Sequence, residues 1–425
     1  MKTDADTDSG SPSGPSSPSG GGSSSGTTPS SQPGSNDKGL LTAKIVKEGE
    51  KAIVTLPVAE TLKSIKNAQT SSFKLVIEEG LKQAEITLPQ EVIAAFAGID
   101  NSSLTIVLNG MEFTFPVSIF PAGTAIKLTL GGIDPSLEEA LQALLAGKKT
   151  YGQPFQLKLE KISADGKTTE PLSFGNIYVS GKVNFSAAGV STGRIAGVAY
   201  IPVKVHLHAV PALFAKNADA ITAELKLNAN GIFTLIDNGS SSFKDDLDWA
   251  TQDISSAVTK MIAFGDSADQ FGTKRDITRA EVIAMIVRGL GLIQDQSSVA
   301  PYADVSLDSP YAEEIAAAKQ AGLVQGRSAD SFDPDAAITR QELAVMLANV
   351  MKYVGKGHTA NTTLLAGFKD RQEIADYAQS SMALMVEQNI MRGVSATSLS
   401  PRTNVTKAQM AATVMRMLRS LGLSN

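Results

Sequence analysis

The sequence predicts a multidomain chain: a disordered linker over residues 1–38, two β-rich, sandwich-like spacer domains over 39–120 and 121–240, and an all-α helical unit beyond them. Three observations carry that division. From Asp8 to Asp37 the chain is dominated by Ser, Gly and Pro. Residues 39–240 hold short runs that alternate apolar and polar side chains, the period of a half-buried strand. Beyond residue 243 one five-residue motif returns three times, as ITRAE at 277–281, ITRQE at 338–342 and VTKAQ at 405–409. A chain of 425 residues has room for about three domains.

The opening tract has too few apolar side chains to offset the entropy of ordering it, and reads as a flexible linker. In the first β segment, KAIVTLP at 51–57, FKLVIEE at 73–79, AEITLP at 84–89, SLTIVLNG at 103–110 and EFTFPVSIF at 112–120 read as strands. Each TLP is expected to open a short helix, at 58–66 and 90–97, because proline is tolerated at a helix start. The second segment continues with IKLTLGG at 126–132, FQLKLEKI at 155–162, NIYVSGKVNF at 176–185 and AELKLNANGIFTLID at 223–237. ADGK at 164–167 signals a hairpin turn, and SLEEALQALLAG at 136–147 a helix that stops at glycine.

Helix chemistry accounts for four letters of the repeated motif. Thr278, Thr339 and Thr406 stand three residues before Glu281, Glu342 and Gln409, the spacing of a capping box. Ile277, Ile338 and Val405 precede the caps, and Val282, Leu343 and Met410 follow, which is the pattern of a hydrophobic staple. Ala280, Gln341 and Ala408 are helix-compatible fillers. The remaining position, first in each helix, holds Arg279, Arg340 and Lys407. A cation there faces the positive end of the helix dipole, at a cost of roughly 0.3–1 kcal/mol. Three copies of a disfavoured choice point to a task, and a cation beside free N-terminal amides suits an anionic ligand.

The spacing shows the repeat to be genuine. The three cations are separated by 61 and 67 residues, and so are Gly265, Gly326 and Gly393. Phe271, Phe332 and Leu399 lie eight residues before each cation, while Trp249, Pro310 and Tyr377 lie sixteen before each glycine. Each unit reads as helix, glycine turn, loop with one apolar anchor, capped helix. Periods of this size mark modules that bury their apolar faces against neighbours.

Together with FKD at 243–245, YAD at 302–304, FKD at 368–370, AGLVQG at 321–326 and SFDPDAAITRQE at 331–342, the repeat resembles three tandem S-layer homology (SLH) modules. Their expected bounds are 241–296, 297–358 and 359–425. The resemblance implies a pseudo-threefold helical unit with ligand grooves between neighbours. It also implies anchoring of an exported protein to a secondary cell-wall polysaccharide, commonly a pyruvylated one, at the surface of a Gram-positive cell. On that basis Arg279, Arg340 and Lys407 hold the acid, Gly265, Gly326 and Gly393 admit the sugar to the backbone, and Trp249 packs on it. Each glycine can equally be a helix C-cap with positive φ, and Trp249 can equally be core. Lys407 offers a point charge rather than a planar fork, which ranks its groove last. MKTDADTDSG lacks the apolar stretch of a secretion signal, so an exported protein is expected to extend upstream.

Other functions find little support. With no cysteine there is neither disulfide framework nor thiol catalysis, and 18 Lys and Arg against 21 Asp and Glu over 243–425 give no basic field for nucleic acid. No apolar run reaches the ~20 residues of a membrane span. His206 and His208 stand two apart on a predicted strand, but no third ligand is visible near them, so neither metal nor cofactor is expected. No G-x-S-x-G elbow appears, and AGKKT at 146–150 lacks the upstream glycine of a phosphate loop. The chain therefore reads as a non-catalytic anchor. The alternatives are a self-associating S-layer lattice protein and the anchor fragment of a surface polysaccharide hydrolase.

Overall fold

A computed structural model of the protein describes residues 38–425 apart from 203–205, 241, 246–247 and 294–299. The predicted linker lies outside the described residues except for Lys38. Alternating runs form β1 (Lys44–Glu48), β2 (Lys51–Thr55), β3 (Ser72–Val76), β4 (Gln83–Leu88), β5 (Ser103–Leu108), β6 (Met111–Pro116) and β7 (Ile126–Gly131). There follow β8 (Thr150–Ile162), β9 (Thr169–Pro171), β10 (Val179–Ser186), β11 (Ile195–Tyr200) and β12 (Leu207–Val210). Next come β13 (Ala212–Asn217), β14 (Ala220–Leu227) and β15 (Gly231–Asp237). Helices α1 (Val58–Asn67) and α2 (Gln90–Ala97) start directly after Pro57 and Pro89. Asp134 caps α3 (Pro135–Leu144) by accepting from the Ser136 amide at 2.9 Å.

One sheet runs β1-β2-β4-β7-β8-β15-β11-β12, with β9 on β8, and a second runs β13-β14-β10-β6-β5-β3. The two TLP motifs open equivalent arcs. In β2–α1–β3 and again in β4–α2–β5 the chain leaves one sheet, crosses by a helix and enters the other, so that β2 lies parallel to β4 and β3 to β5.

The expected division at residue 120 does not survive. Strands from both sides of it pair, β4 with β7 and β6 with β10, and share a core in which Phe113 meets Phe155 at 5.3 Å between ring centres. Alternation identifies the buried face of a strand but not its partner, so a two-domain reading and a single body of strands look alike in sequence. Strand β11 was not foreseen because it does not alternate. Its residues are all buried, since Leu141 of α3 and Leu145 just after that helix pack with Val198 and with Ile236 of β15.

In the C-terminal part shorter and longer helices alternate, as α4 (Thr251–Thr259), α5 (Arg279–Leu290), α6 (Ala312–Gln320), α7 (Arg340–Tyr353), α8 (Gln379–Glu387) and α9 (Lys407–Leu421), and each longer one packs on the shorter one of the next unit: α5 on α6, α7 on α8 and α9 on α4. Ile254, Ile283, Ile315, Leu347, Met382 and Val414 enter one continuous core. The turn after each shorter helix places Met261, Gly322 and Asn389 at φ of 58°, 68° and 54°. The helices sit directly on the strands. The Tyr178 hydroxyl donates to the Leu290 carbonyl at 2.8 Å, and the Tyr353 hydroxyl donates to that of Gly175 at 2.7 Å.

Candidate functional site

Each longer helix begins in the capping box that its sequence predicts. Thr278, Thr339 and Thr406 accept from the amides of Glu281, Glu342 and Gln409 at 3.3, 3.4 and 3.3 Å. The N3 side chains return the bond to the cap amides at 3.0, 2.9 and 3.3 Å. The staple residues Ile277, Ile338 and Val405 are fully buried.

The two amides that a capping box leaves open are also taken. The first and second amides of α5 donate to the carbonyls of Ala336 and Pro334 at 2.9 and 3.0 Å. Those of α7 donate to Thr403 and Pro401 at 3.0 and 2.9 Å, and those of α9 to Arg275 and Thr273 at 3.0 and 3.4 Å. Each acceptor lies in the loop of the next unit, and the third unit reaches back to the first. Three helix starts thus close a cycle, reinforced by paired segments at Thr278–Ala337, Thr339–Asn404 and Asp276–Thr406.

The leftover cations follow the same cycle, and this corrects their expected placement. Arg279, Arg340 and Lys407 are only 5–6% exposed. Arg279 Nε donates to the Phe332 carbonyl at 3.1 Å, and its guanidinium lies over that ring at 4.8 Å. Arg340 donates to Leu399 through Nε at 2.6 Å and to Arg392 through Nη2 at 2.7 Å. Lys407 Nζ sits 2.6 Å from Asp266 and 4.7 Å from the centre of the Phe271 ring. Burial pushes the pKa of all three down. The cations are not paired with free helix amides; loop oxygens of the neighbouring unit answer the positive helix end instead. Asp266, bonded first by Arg275 and also by Lys407, is held down to about 2.

The glycines do not stand at positive φ. A Cβ on Gly265, Gly326 or Gly393 would lie 2.6, 2.3 or 2.3 Å from the carbonyl oxygen of Ser267, Ser328 or Ser395. It would also crowd Phe243, Tyr302 or Phe368, the ring that opens each unit. The left-handed C-cap falls four residues earlier, at Met261, Gly322 and Asn389.

Three carboxylates went unread in the sequence. Asp245, Asp304 and Asp370, the last letters of FKD, YAD and FKD, each accept consecutive loop amides. Asp245 takes Phe271, Gly272 and Thr273 at 2.7, 2.7 and 3.0 Å. Asp304 takes Phe332 and Asp333, and Asp370 takes Leu399 and Ser400. Burial pushes these carboxyls up, but the loop amides, joined by the Ser331 hydroxyl at Asp304 and led by the Ser398 hydroxyl at Asp370, outweigh it and hold all three below the usual range. Their recurrence just after an aromatic residue was the available signal.

Trp249 is not core. It is 62% exposed, as is Tyr377 at the matching place in the third unit. Trp249 borders a cleft of about 810 Å³ with Lys260, Arg419, Asn425 and Phe214, and none of the three motif cations lines it. The predicted site residues are therefore split, with the cations buried between units, the glycines packed within their own unit's loop, and Trp249 on the surface. The expected lack of a third ligand near His206 and His208 also fails, because α6 brings Glu313 to them.

Comparison with known families then bears on the repeat. Two stretches of the chain match the S-layer homology domain, residues 301–344 and 367–411. These SLH stretches run from α6 into α7 and from α8 into α9. Over 174 residues the chain is 28% identical to an amylopullulanase of Thermoanaerobacterium thermosulfurigenes, covering 41% of this chain and 9% of that protein. It is 28% identical over 209 residues to an endoglucanase of a Bacillus species (strain KSM-635), covering 49% and 21%. It is 26% identical over 176 residues to a surface-layer 125 kDa protein of Lysinibacillus sphaericus, covering 41% and 14%. The chain thus spans between 9% and 21% of the length of these relatives. Among the described residues no helix is long and apolar enough to cross a membrane.

Proposed function

We propose that the helical part of this chain anchors an exported protein to the bacterial cell wall by binding a secondary cell-wall polysaccharide, and that the chain itself is not an enzyme. The match of residues 301–344 and 367–411 to the SLH domain carries this reading. Relatives named as polysaccharide hydrolases and as a surface-layer protein share with this chain only a minor part of their length. Attachment is a task that such different proteins can have in common. Residues 241–296 form a further SLH module in this reading, because the cap, cation and glycine of the matched stretches return there at the same spacing, with an aspartate ahead of them.

The proposed glycan contacts are the exposed aromatics rather than the buried cations. Trp249 and Tyr377 each offer a ring face to a sugar. A polymer bearing carboxylates, such as a pyruvylated one, would meet surface guanidinium groups, of which Arg327 lies close enough to Tyr377 to influence it electrostatically. Arg279, Arg340 and Lys407, with the three glycines, shape the loops that present those groups. Several weak grooves on one body gain roughly 10²–10⁴ in avidity on a polymer of many copies. The test is sedimentation of the chain with wall sacculi before and after removal of the secondary polymer. Binding that survives removal would refute the reading, and sheets formed by the chain alone would favour the lattice alternative. Trp249→Ala with Tyr377→Ala should weaken sedimentation at least tenfold while leaving thermal unfolding unchanged.

A further inference from the structure

The chain has three histidines, and two of them, His206 and His208, stand on one side of the edge strand β12 and just before it. Their rings are 4.4 Å apart between centres. Glu313, in the first turn of α6, places Oε2 3.7 Å from Nε2 of His206. One ligand atom from each of the three residues falls within 4.8 Å of the others. They line a cavity of about 480 Å³ that is partly open to solvent. We propose that His206, His208 and Glu313 form a binding site for a divalent transition-metal ion of the zinc class.

The chemistry of the donors selects the ion. Two imidazoles and one carboxylate are the nitrogen and oxygen set that zinc, cobalt and nickel accept, whereas calcium and magnesium seek oxygen alone. Ligand bonds of about 2.0 Å at tetrahedral angles put donor atoms about 3.3 Å apart, slightly closer than here. His206 and Glu313 are exposed, so small side-chain rotations make up the difference. The cavity leaves room for a water in the fourth position. Since β12 belongs to the sheet and α6 to a stretch matching the SLH domain, the ion would tie the strands to the helices.

The test uses the full chain without a histidine tag, stripped with a chelator and titrated with Co²⁺, with Zn²⁺ as competitor. One equivalent should bind with a visible tetrahedral band that Zn²⁺ abolishes. His206→Ala, His208→Ala and Glu313→Gln should each weaken binding at least tenfold. His358→Ala should not, since that ring pairs with Glu387 at 2.8 Å away from the site. Zn²⁺ should raise the thermal midpoint of the parent, and Glu313→Gln, a near-isosteric change at an exposed position, should abolish the rise. Absence of a stoichiometric band overturns the proposal. So does a band that persists unchanged in both His206→Ala and Glu313→Gln.

Discussion

Arg340 shows how a single side chain changes meaning once its surroundings are known. At a helix start with free amides it would be a ligand hook that could be removed at no cost to folding. In the structure it donates to two carbonyls of the following unit, Leu399 and Arg392, from a nearly buried position. Arg340→Ala should therefore destabilise the protein by about 2–3 kcal/mol, the scale of lost bonds to a charged group, measured by urea unfolding. Arg340→Lys should fall between, because one ammonium cannot reach both carbonyls as a fork does. A fully stable Arg340→Ala chain would overturn the assembly role. The aspartates add a pH dependence of definite sign. Asp245, Asp266, Asp304 and Asp370 all have carboxyl pKa values lower than in the unfolded chain, Asp266 at about 2. Their contribution is fully present above the unfolded value of about 3.9 and is lost as pH falls through the folded values. The urea midpoint should hold level from about pH 7 to 5 and drop below about pH 4, less steeply in Asp304→Asn.

The loops and caps separate what a sequence states locally from what it leaves to distant partners. Thr339→Ala should cost about 1 kcal/mol, the usual loss for an N-cap. Gly326 and Gly322, four residues apart, should respond differently to alanine. At Gly322 a Cβ meets nothing within 4 Å and the penalty is the left-handed backbone alone, about 1 kcal/mol. At Gly326 it would stand 2.3 and 2.4 Å from two backbone oxygens, so the loop must move, and Gly326→Ala should be the more damaging by thermal unfolding. The capping boxes, the staples and the two helices after TLP were legible because each is written within a few neighbouring residues. The partners of Arg279 were not, because its acceptors are backbone carbonyls some 50 residues away, which carry no side-chain signature. Glu313 escaped for a related reason. Nothing near β12 in sequence announces a carboxylate that only the packing of α6 delivers. The pairing of β6 with β10 was hidden in the same way, since alternation is silent about neighbours.

Across the whole molecule, the strand region is not a loosely strung spacer. Tyr178, Tyr353 and Asn176 bond across to or from the helical part, and Asn425 near the last helix pairs with the backbone of Phe214. Calorimetry should show one cooperative transition for residues 38–425, and two well-separated transitions would sink the claim of a shared body. Tyr178→Phe should lower its midpoint, since the buried Leu290 carbonyl would lose a donor. The cyclic hand-over from α5 to the second loop, from α7 to the third and from α9 back to the first has a further consequence. A linear stack of repeats can grow by copying one, because each end is a docking face for the next. Here Lys407 already occupies the place beside Asp266 that an added copy would need. Duplicating a unit in the gene should therefore leave the extra copy unhoused rather than lengthen the array, and the number three is set by geometry.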